Sequence, residues 1–237
     1  MIRLQSVLIL LSFALLSLIT SCSESLNTYE GSDQELSGTG VLISELRELP
    51  AFSAISSSGP ITTVITRGDT KEVLVTADDN IIQRVKTTVR AQKLYISLDE
   101  GQYHNIWIRV QLRLPEIKAL DNSGSGTMKA GNLMTDNALK AVNSGTGTLM
   151  LQGRATHLNL MNEGSGSIQG FDLISERCTV QNTGNGLCEL FCTGLLEGQN
   201  TGSGSIYYKG KATVAIENTG SGEVLEVWQE AGADGKY

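Results

Sequence analysis

The sequence predicts an all-β parallel solenoid, and three observations support this fold class. The motif Asn-x-Gly-x-Gly occurs six times between residues 122 and 222, with Asn-to-Asn steps of 18 to 21 residues. Apolar residues recur at fixed distances from each Asn. Within each segment these residues are spaced by two, which is the period of a β-strand. A period near twenty indicates stacked coils that bury their inward residues against one another.

The repeated motif predicts a corner in each coil. Glycine suits a chain that takes positive φ or passes close to the next coil, and asparagine tolerates such corners and bonds locally. At about 4.8 Å per coil, stacked Asn amides would form a ladder, and the coils would make a rod of roughly 25 to 30 Å. The alternative is a sandwich or barrel of antiparallel hairpins that turn at each Gly-x-Gly. The corner residues are Asn122, Gly124, Gly126, Asn143, Gly145, Gly147, Asn162, Gly164, Gly166, Asn182, Gly184, Gly186, Asn200, Gly202, Gly204, Asn218, Gly220 and Gly222.

Three apolar columns flank these corners and predict the core. They lie four residues before, two residues before and six residues after each Asn: Lys118, Leu139, Leu158, Cys178, Leu196 and Val214; Leu120, Ala141, Leu160, Val180, Gly198 and Ile216; Met128, Leu149, Ile168, Cys188, Ile206 and Val224. Lys118 and Gly198 depart from the pattern. Cys178 and Cys188 stand where other coils have Leu, Ile or Val, which favours small buried hydrophobes. A disulfide among Cys178, Cys188 and Cys192 is the alternative.

Residues 1–21 have the pattern of an export signal: Arg3 precedes an apolar run from Val7 to Ile19 that is short for a membrane span. The following Ile19-Thr20-Ser21-Cys22 resembles the lipobox of bacterial lipoproteins, which implies lipid attachment at Cys22. An ordinary secretory peptide is the alternative. Ser23, by resemblance to bacterial sorting rules, implies the outer membrane and leaves the leaflet open.

Polar residues 22–40 predict a flexible tether, and 41–237 predict a single solenoid domain. Residues 41–121 alternate like strands without the repeat and predict an N-terminal β cap, because an uncovered solenoid end is an open sheet edge. Trp228 and the tail to Tyr237 are expected to cover the other end.

Composition argues for binding without catalysis. Loss of residues 1–21 removes one Arg and no acid, so the net charge of −7 becomes about −8, which disfavours nucleic acid. No repeat face collects paired carboxylates, and calcium-binding repeats place Asp after their glycines, so we predict no metal and no cofactor.

The predicted sugar contacts are Tyr103, Trp107, Arg109 and Arg113, since NIWIRVQLRL leaves Trp107 and both arginines opposite its apolar face. The alternative is that Trp107 packs under the N-terminal segment.

The segments FSAISSSGPITTVITRG, KEVLVTADDN, KLYISL and IRVQLRLPEIKALDNSGSG, followed by the repeated corners, resemble the head GIN domain family of auto-transporter adhesins. The resemblance covers roughly residues 48–225. It implies a β-helix-like fold and adhesion to a glycan or protein surface ligand, with no catalytic residues. A β-helix polysaccharide lyase or hydrolase is the alternative function, and it requires converging acidic or basic groups in a cleft.

Overall fold

The computed structural model describes residues 35–227 as a parallel β-solenoid of about five turns with a β cap at its N-terminal end. Its strands are β1 (Glu35–Ser37), β2 (Leu42–Leu46), β3 (Ala54–Ser57), β4 (Thr62–Arg67), β5 (Glu72–Asp78), β6 (Val85–Arg90), β7 (Lys93–Leu98), β8 (Gln102–His104), β9 (Ile108–Leu114), β10 (Ala119–Asn122), β11 (Thr127–Asn143), β12 (Thr148–Asn162), β13 (Ser167–Asn182), β14 (Cys188–Asn200), β15 (Ile206–Lys209), β16 (Thr213–Asn218) and β17 (Val224–Glu226), with one 3-10 turn (Ile82–Arg84). The export signal, Cys22 and Trp228 lie outside the described residues.

Strands β10 to β14 stack in chain order, each parallel to the next. The register sets Asn122 opposite Asn143, and the same Asn-to-Asn pairing continues to Asn218. The predicted parallel solenoid is confirmed, and the alternative of antiparallel hairpins at each Gly-x-Gly is wrong. Each coil stacks on the preceding repeat because both carry the same inward residues at the same positions.

The long strands β11, β12 and β13 bend within each coil. Their pairing shifts register between Ala130 and Leu133, between Met150 and Gln152, and between Gly170 and Ile174. One coil therefore consists of a bent strand and a glycine corner. The bends repeat at similar positions and form a continuous line along the stack.

The three predicted apolar columns form the core over the central coils. Leu139, Leu158, Leu160, Leu149 and Ile168 are each at most 1% exposed. The two departures and the final coil differ: Lys118 is exposed, Gly198 is half-buried with φ +151°, and Val214 is 39% exposed. Burial therefore weakens in the last described coil.

The cap contains one early coil and a terminating layer. Strand β3 continues the stack, since Ser57 lies opposite Asn122. Strands β7 and β9 add a parallel layer on β3 and β4. Antiparallel β6 then covers β7, and antiparallel β5 and β2 follow on β9. Reversed strands end the parallel stack and cover its open edge, as the need for a cap predicts.

The described fold begins earlier than the sequence predicts. Strand β1 pairs with β8, and the Gly40 amide donates to Asp78 Oδ1 at 2.7 Å. Residues 35–40, which composition assigns to the tether, are thus bonded to the cap. Their polar character misleads because they hydrogen-bond rather than pack.

The corner glycines allow close approach between coils and do not require positive φ. A Cβ built on any of the twelve would lie 1.7 to 2.2 Å from a backbone carbonyl oxygen of the coil before it, and none of the twelve has φ in the left-handed region. Of the two reasons considered for glycine at these corners, close packing is the operative one.

The corner asparagines form the predicted ladder. Each side-chain amide from Asn122 to Asn200 donates to the side-chain oxygen of the next Asn at 3.0 to 3.2 Å. The five residues from Asn122 to Asn200 are at most 1% exposed. Buried amides are thereby satisfied by one another, and register slips are penalised.

Candidate functional site

The outward-facing residues after each corner make one sheet face that runs along the solenoid. Seven residues after each Asn, one column of side chains points away from the core: Lys129, Met150, Gln169, Glu189, Tyr207 and Leu225. Neighbouring strands of a sheet lie about 4.8 Å apart, so these side chains are adjacent. A rigid row of mixed polar and apolar groups is suited to binding an elongated ligand.

A groove of about 490 Å³ follows this face, and we name it the axial groove. It crosses β4, β11, β12, β13, β14 and β15, which corresponds to a span of about 24 Å. It forms where the strands bend, and glycine leaves it open: a Cβ on Gly131 would meet only Gln152 Oε1, at 3.7 Å. Its lining residues are Val64, Ile65, Thr66, Lys129, Ala130, Gly131, Met150, Leu151, Gln152, Gln169, Phe171, Asp172, Glu189 and Lys209.

The axial groove combines hydrogen-bonding groups with balanced charges. Lys209 Nζ lies 4.2 Å from the ring centroid of Phe171. Burial raises the pKa of Glu189, Lys209 opposes this and Asp172 adds to it. Among the ion pairs within 4.0 Å in residues 35–227, none involves Asp172 or Glu189.

The amides of Gln152 and Gln169 each offer a donor and an acceptor. These groups together can hydrogen-bond the hydroxyls of a carbohydrate.

The predicted sugar contacts are only partly brought together. Trp107, Arg109 and Arg113 are all exposed, on or just before β9. The Arg109 guanidinium lies 5.1 Å from the Trp107 ring, so it occupies a ring face on which a sugar would stack. Tyr103 belongs to β8, where it packs on the core and its hydroxyl donates to the Asp99 carbonyl at 2.8 Å. Binding by these four residues stays a prediction.

Trp107 is held by the cap. Asp78, which is 1% exposed, accepts from the Trp107 amide at 2.8 Å and from the Gly40 amide at 2.7 Å. The indole itself is 39% exposed. The N-terminal segment therefore fixes the Trp107 backbone through Asp78 and leaves a substantial part of the ring open to solvent.

The three cysteines of the described chain are buried free thiols. Burial raises the pKa of Cys188 to about 12, and a hydrogen bond with Cys192 raises the pKa of Cys178. The same contact lowers the pKa of Cys192 to about 7. Their burial agrees with the prediction from the apolar columns, and the structure contains no bridge among them.

The sequence analysis missed the axial groove. Gln152, Phe171 and Asp172 occupy the bends, where no column is repeated. Gln169 and Glu189, however, fall in the outward column seven residues after Asn, beside Lys129 and Met150. Alignment of the outward columns, as was done for the inward ones, would have shown this row.

The fold and its surface define an all-β solenoid domain with grooves built on rigid strands. The model of the family described as "Putative auto-transporter adhesin, head GIN domain" matches residues 51–212, and the chain belongs to this family. The resemblance in the sequence is thereby confirmed. No functionally curated protein shows significant similarity to the chain.

Solved structures show the same fold. A "putative adhesin" from Bacteroides fragilis is 21% identical with a TM-score of 0.68, covering 81% of this chain and 100% of its own. A "putative adhesin" from Parabacteroides merdae is 19% identical with a TM-score of 0.46, covering 82% and 99%. One from Parabacteroides distasonis is 23% identical with a TM-score of 0.45, covering 81% and 100%.

Proposed function

We propose that this chain is a lipid-anchored outer-membrane protein whose solenoid binds a surface glycan without changing it chemically. The axial groove is the observation that carries the proposal. It aligns hydrogen-bonding side chains from successive coils, which suits a linear chain of hydroxyl-bearing units. The family description and the adhesin from Bacteroides fragilis support a non-enzymatic, adhesion-like role.

Binding through the axial groove is tested by removing its two amides. We expect Gln152→Ala with Gln169→Ala to weaken binding of linear neutral polysaccharides by about tenfold, since each lost hydrogen bond contributes about 1 kcal/mol. Titration calorimetry of purified residues 23–237 measures this. Gln199→Ala, an exposed glutamine on β14 outside the groove, is the matched control. Equal affinity of all three proteins would exclude the groove as the binding site.

A β-helix glycoside hydrolase is the second candidate function. Asp172 and Glu189 line the same groove, and burial raises the pKa of Glu189. A carboxyl group that keeps its proton beside an ionised one is the usual pair for glycoside cleavage. Release of new reducing ends from a bound polysaccharide, abolished by Glu189→Gln, would establish the enzyme. Binding with no released ends supports adhesion.

Anchoring through Cys22 is a separate part of the proposal. We expect Cys22→Ser to move the protein from the outer-membrane fraction to the soluble fraction, because acyl chains attach it where no spanning helix does. Within residues 35–227 no helix is long and apolar enough to cross a membrane. Cell fractionation with labelled fatty acid measures the change. A wild-type chain that carries no label would show that residues 1–21 act as an ordinary secretory signal.

A further inference from the structure

A second concavity lies on another part of the strand bends, and we name it the basic groove. It has a volume of about 580 Å³ and is lined by Arg67, Arg154, Met134, Pro115 and their neighbours. A smaller hollow of about 140 Å³ shares Arg67, Met134 and Arg154 with it. The two form one continuous depression, and none of the residues of the axial groove lines it.

The backbone holds the basic groove in shape. Strand β4 ends at Arg67, and β9 ends just before Pro115. Asn132 has φ +54° and Gly153 has φ +133°, so both bends use left-handed backbone. A Cβ on Gly153 would lie 2.1 Å from the Leu133 carbonyl oxygen. Arg154 is therefore positioned by a turn that is closely packed on the coil before it.

The two arginines have no ionic partner among the described residues. The ion pairs within 4.0 Å in residues 35–227 include neither Arg67 nor Arg154. Arg67 Nε donates to the Pro115 carbonyl at 3.4 Å. Asp69 lines the groove and Asp136 lines the smaller hollow, and neither pairs with an arginine. Most guanidinium donors are thus free, although the chain has a net charge of −7.

An apolar surface lies between the arginines. Met134 is 62% exposed and lines the depression beside Pro115 and Leu133. Guanidinium groups bind carboxylate and sulfate oxygens in a bidentate manner, and the thioether offers an adaptable apolar contact. The combination fits a ring that carries one acidic substituent.

We propose that the basic groove binds the acidic substituent, a carboxylate or a sulfate, of an acidic polysaccharide. This inference rests on the proposed glycan-binding function and adds a second site with a ligand class of its own. Arg67 and Arg154 hold the oxoanion, and Met134 and Pro115 contact the ring. A neutral glycan gains nothing from this groove.

The experiment compares three probes on the mature chain with Cys22→Ser: polygalacturonate, dextran sulfate and neutral dextran. We expect Arg67→Ala with Arg154→Ala to weaken binding of an acidic probe by at least about tenfold and to leave neutral polysaccharide unaffected. Affinity for the carboxylated probe against the sulfated probe identifies the substituent. Arg90→Ala, an exposed arginine of the cap, is the control and should change nothing, and melting temperatures verify folding of each variant.

Three results would overturn the proposal. Acidic probes bound no better than dextran would do so, as would tight binding unaffected by the arginine pair. Vesicles of anionic phospholipid bound through the same arginines, without polysaccharide binding, would assign the groove to a membrane surface. Neutral polysaccharide that still binds through Gln152 and Gln169 would preserve the proposed function in each case. Failure of every polysaccharide would instead reject both proposals.

Discussion

Gly166→Val is expected to lower the melting temperature of the domain by about 6 to 12 °C, through a loss of about 3 kcal/mol. A Cβ at this position would lie 1.9 Å from the Gly147 carbonyl oxygen and 2.7 Å from Asn143 Nδ2. The first atom is backbone and the second belongs to the buried ladder, so neither can move without shifting a coil. Calorimetry or circular dichroism measures the change.

Gly131→Val is the matched control for this effect. Its Cβ would meet only Gln152 Oε1, at 3.7 Å, and valine favours strands. We expect a change within about 1 kcal/mol, since nothing rigid opposes the side chain. Similar melting of both variants would show that close packing of coils does not explain the corner glycines.

The solenoid was predictable from sequence because its neighbours in space are its neighbours in the repeat. Leu139, Leu158 and Cys178 occupy one column in the sequence and stack on one another in the fold. Pattern and contact therefore carry the same information. The repeat also predicted the asparagine ladder, since a residue buried at one corner contacts its own equivalent.

The cap and the grooves were not predictable in the same way. Strand β5 lies antiparallel to β9 across a long interval with no repeat, so alternation identifies the strands without their partners. The basic groove depends on bends at Asn132 and Gly153, which no motif marks. Trp107 and Tyr103 are close in sequence yet belong to different parts of the cap, which only the pairing of β8 with β1 reveals.

Asn162→Asp is expected to destabilise the domain by about 3 kcal/mol at pH 7, although it replaces one atom. Asn162 is 0% exposed. It accepts from Asn143 Nδ2 at 3.2 Å and donates to Asn182 Oδ1 at 3.1 Å. A carboxylate keeps the first bond and loses the second, and it sets a buried negative charge against the Asn182 oxygen.

The loss from Asn162→Asp should shrink as the pH falls. A protonated carboxyl can donate to Asn182 again, and burial favours this neutral form. The folded chain then holds the proton to a higher pH than the unfolded chain, in which an aspartate titrates near about 3.9. Stability is therefore greatest below that pH and is lost as the pH rises.

The measurement for Asn162→Asp is the melting temperature relative to wild type at pH 4 and pH 7. Asn159→Asp, on the exposed side of the same strand, provides the control and should show almost no loss at either pH. A variant at Asn162 that melts like the one at Asn159 would mean that the ladder adds no stability. A large loss that is equal at both pH values would mean that shape rather than the donated hydrogen bond holds this corner. A loss that shrinks at pH 4 would identify the donated amide proton as what links each coil to the next.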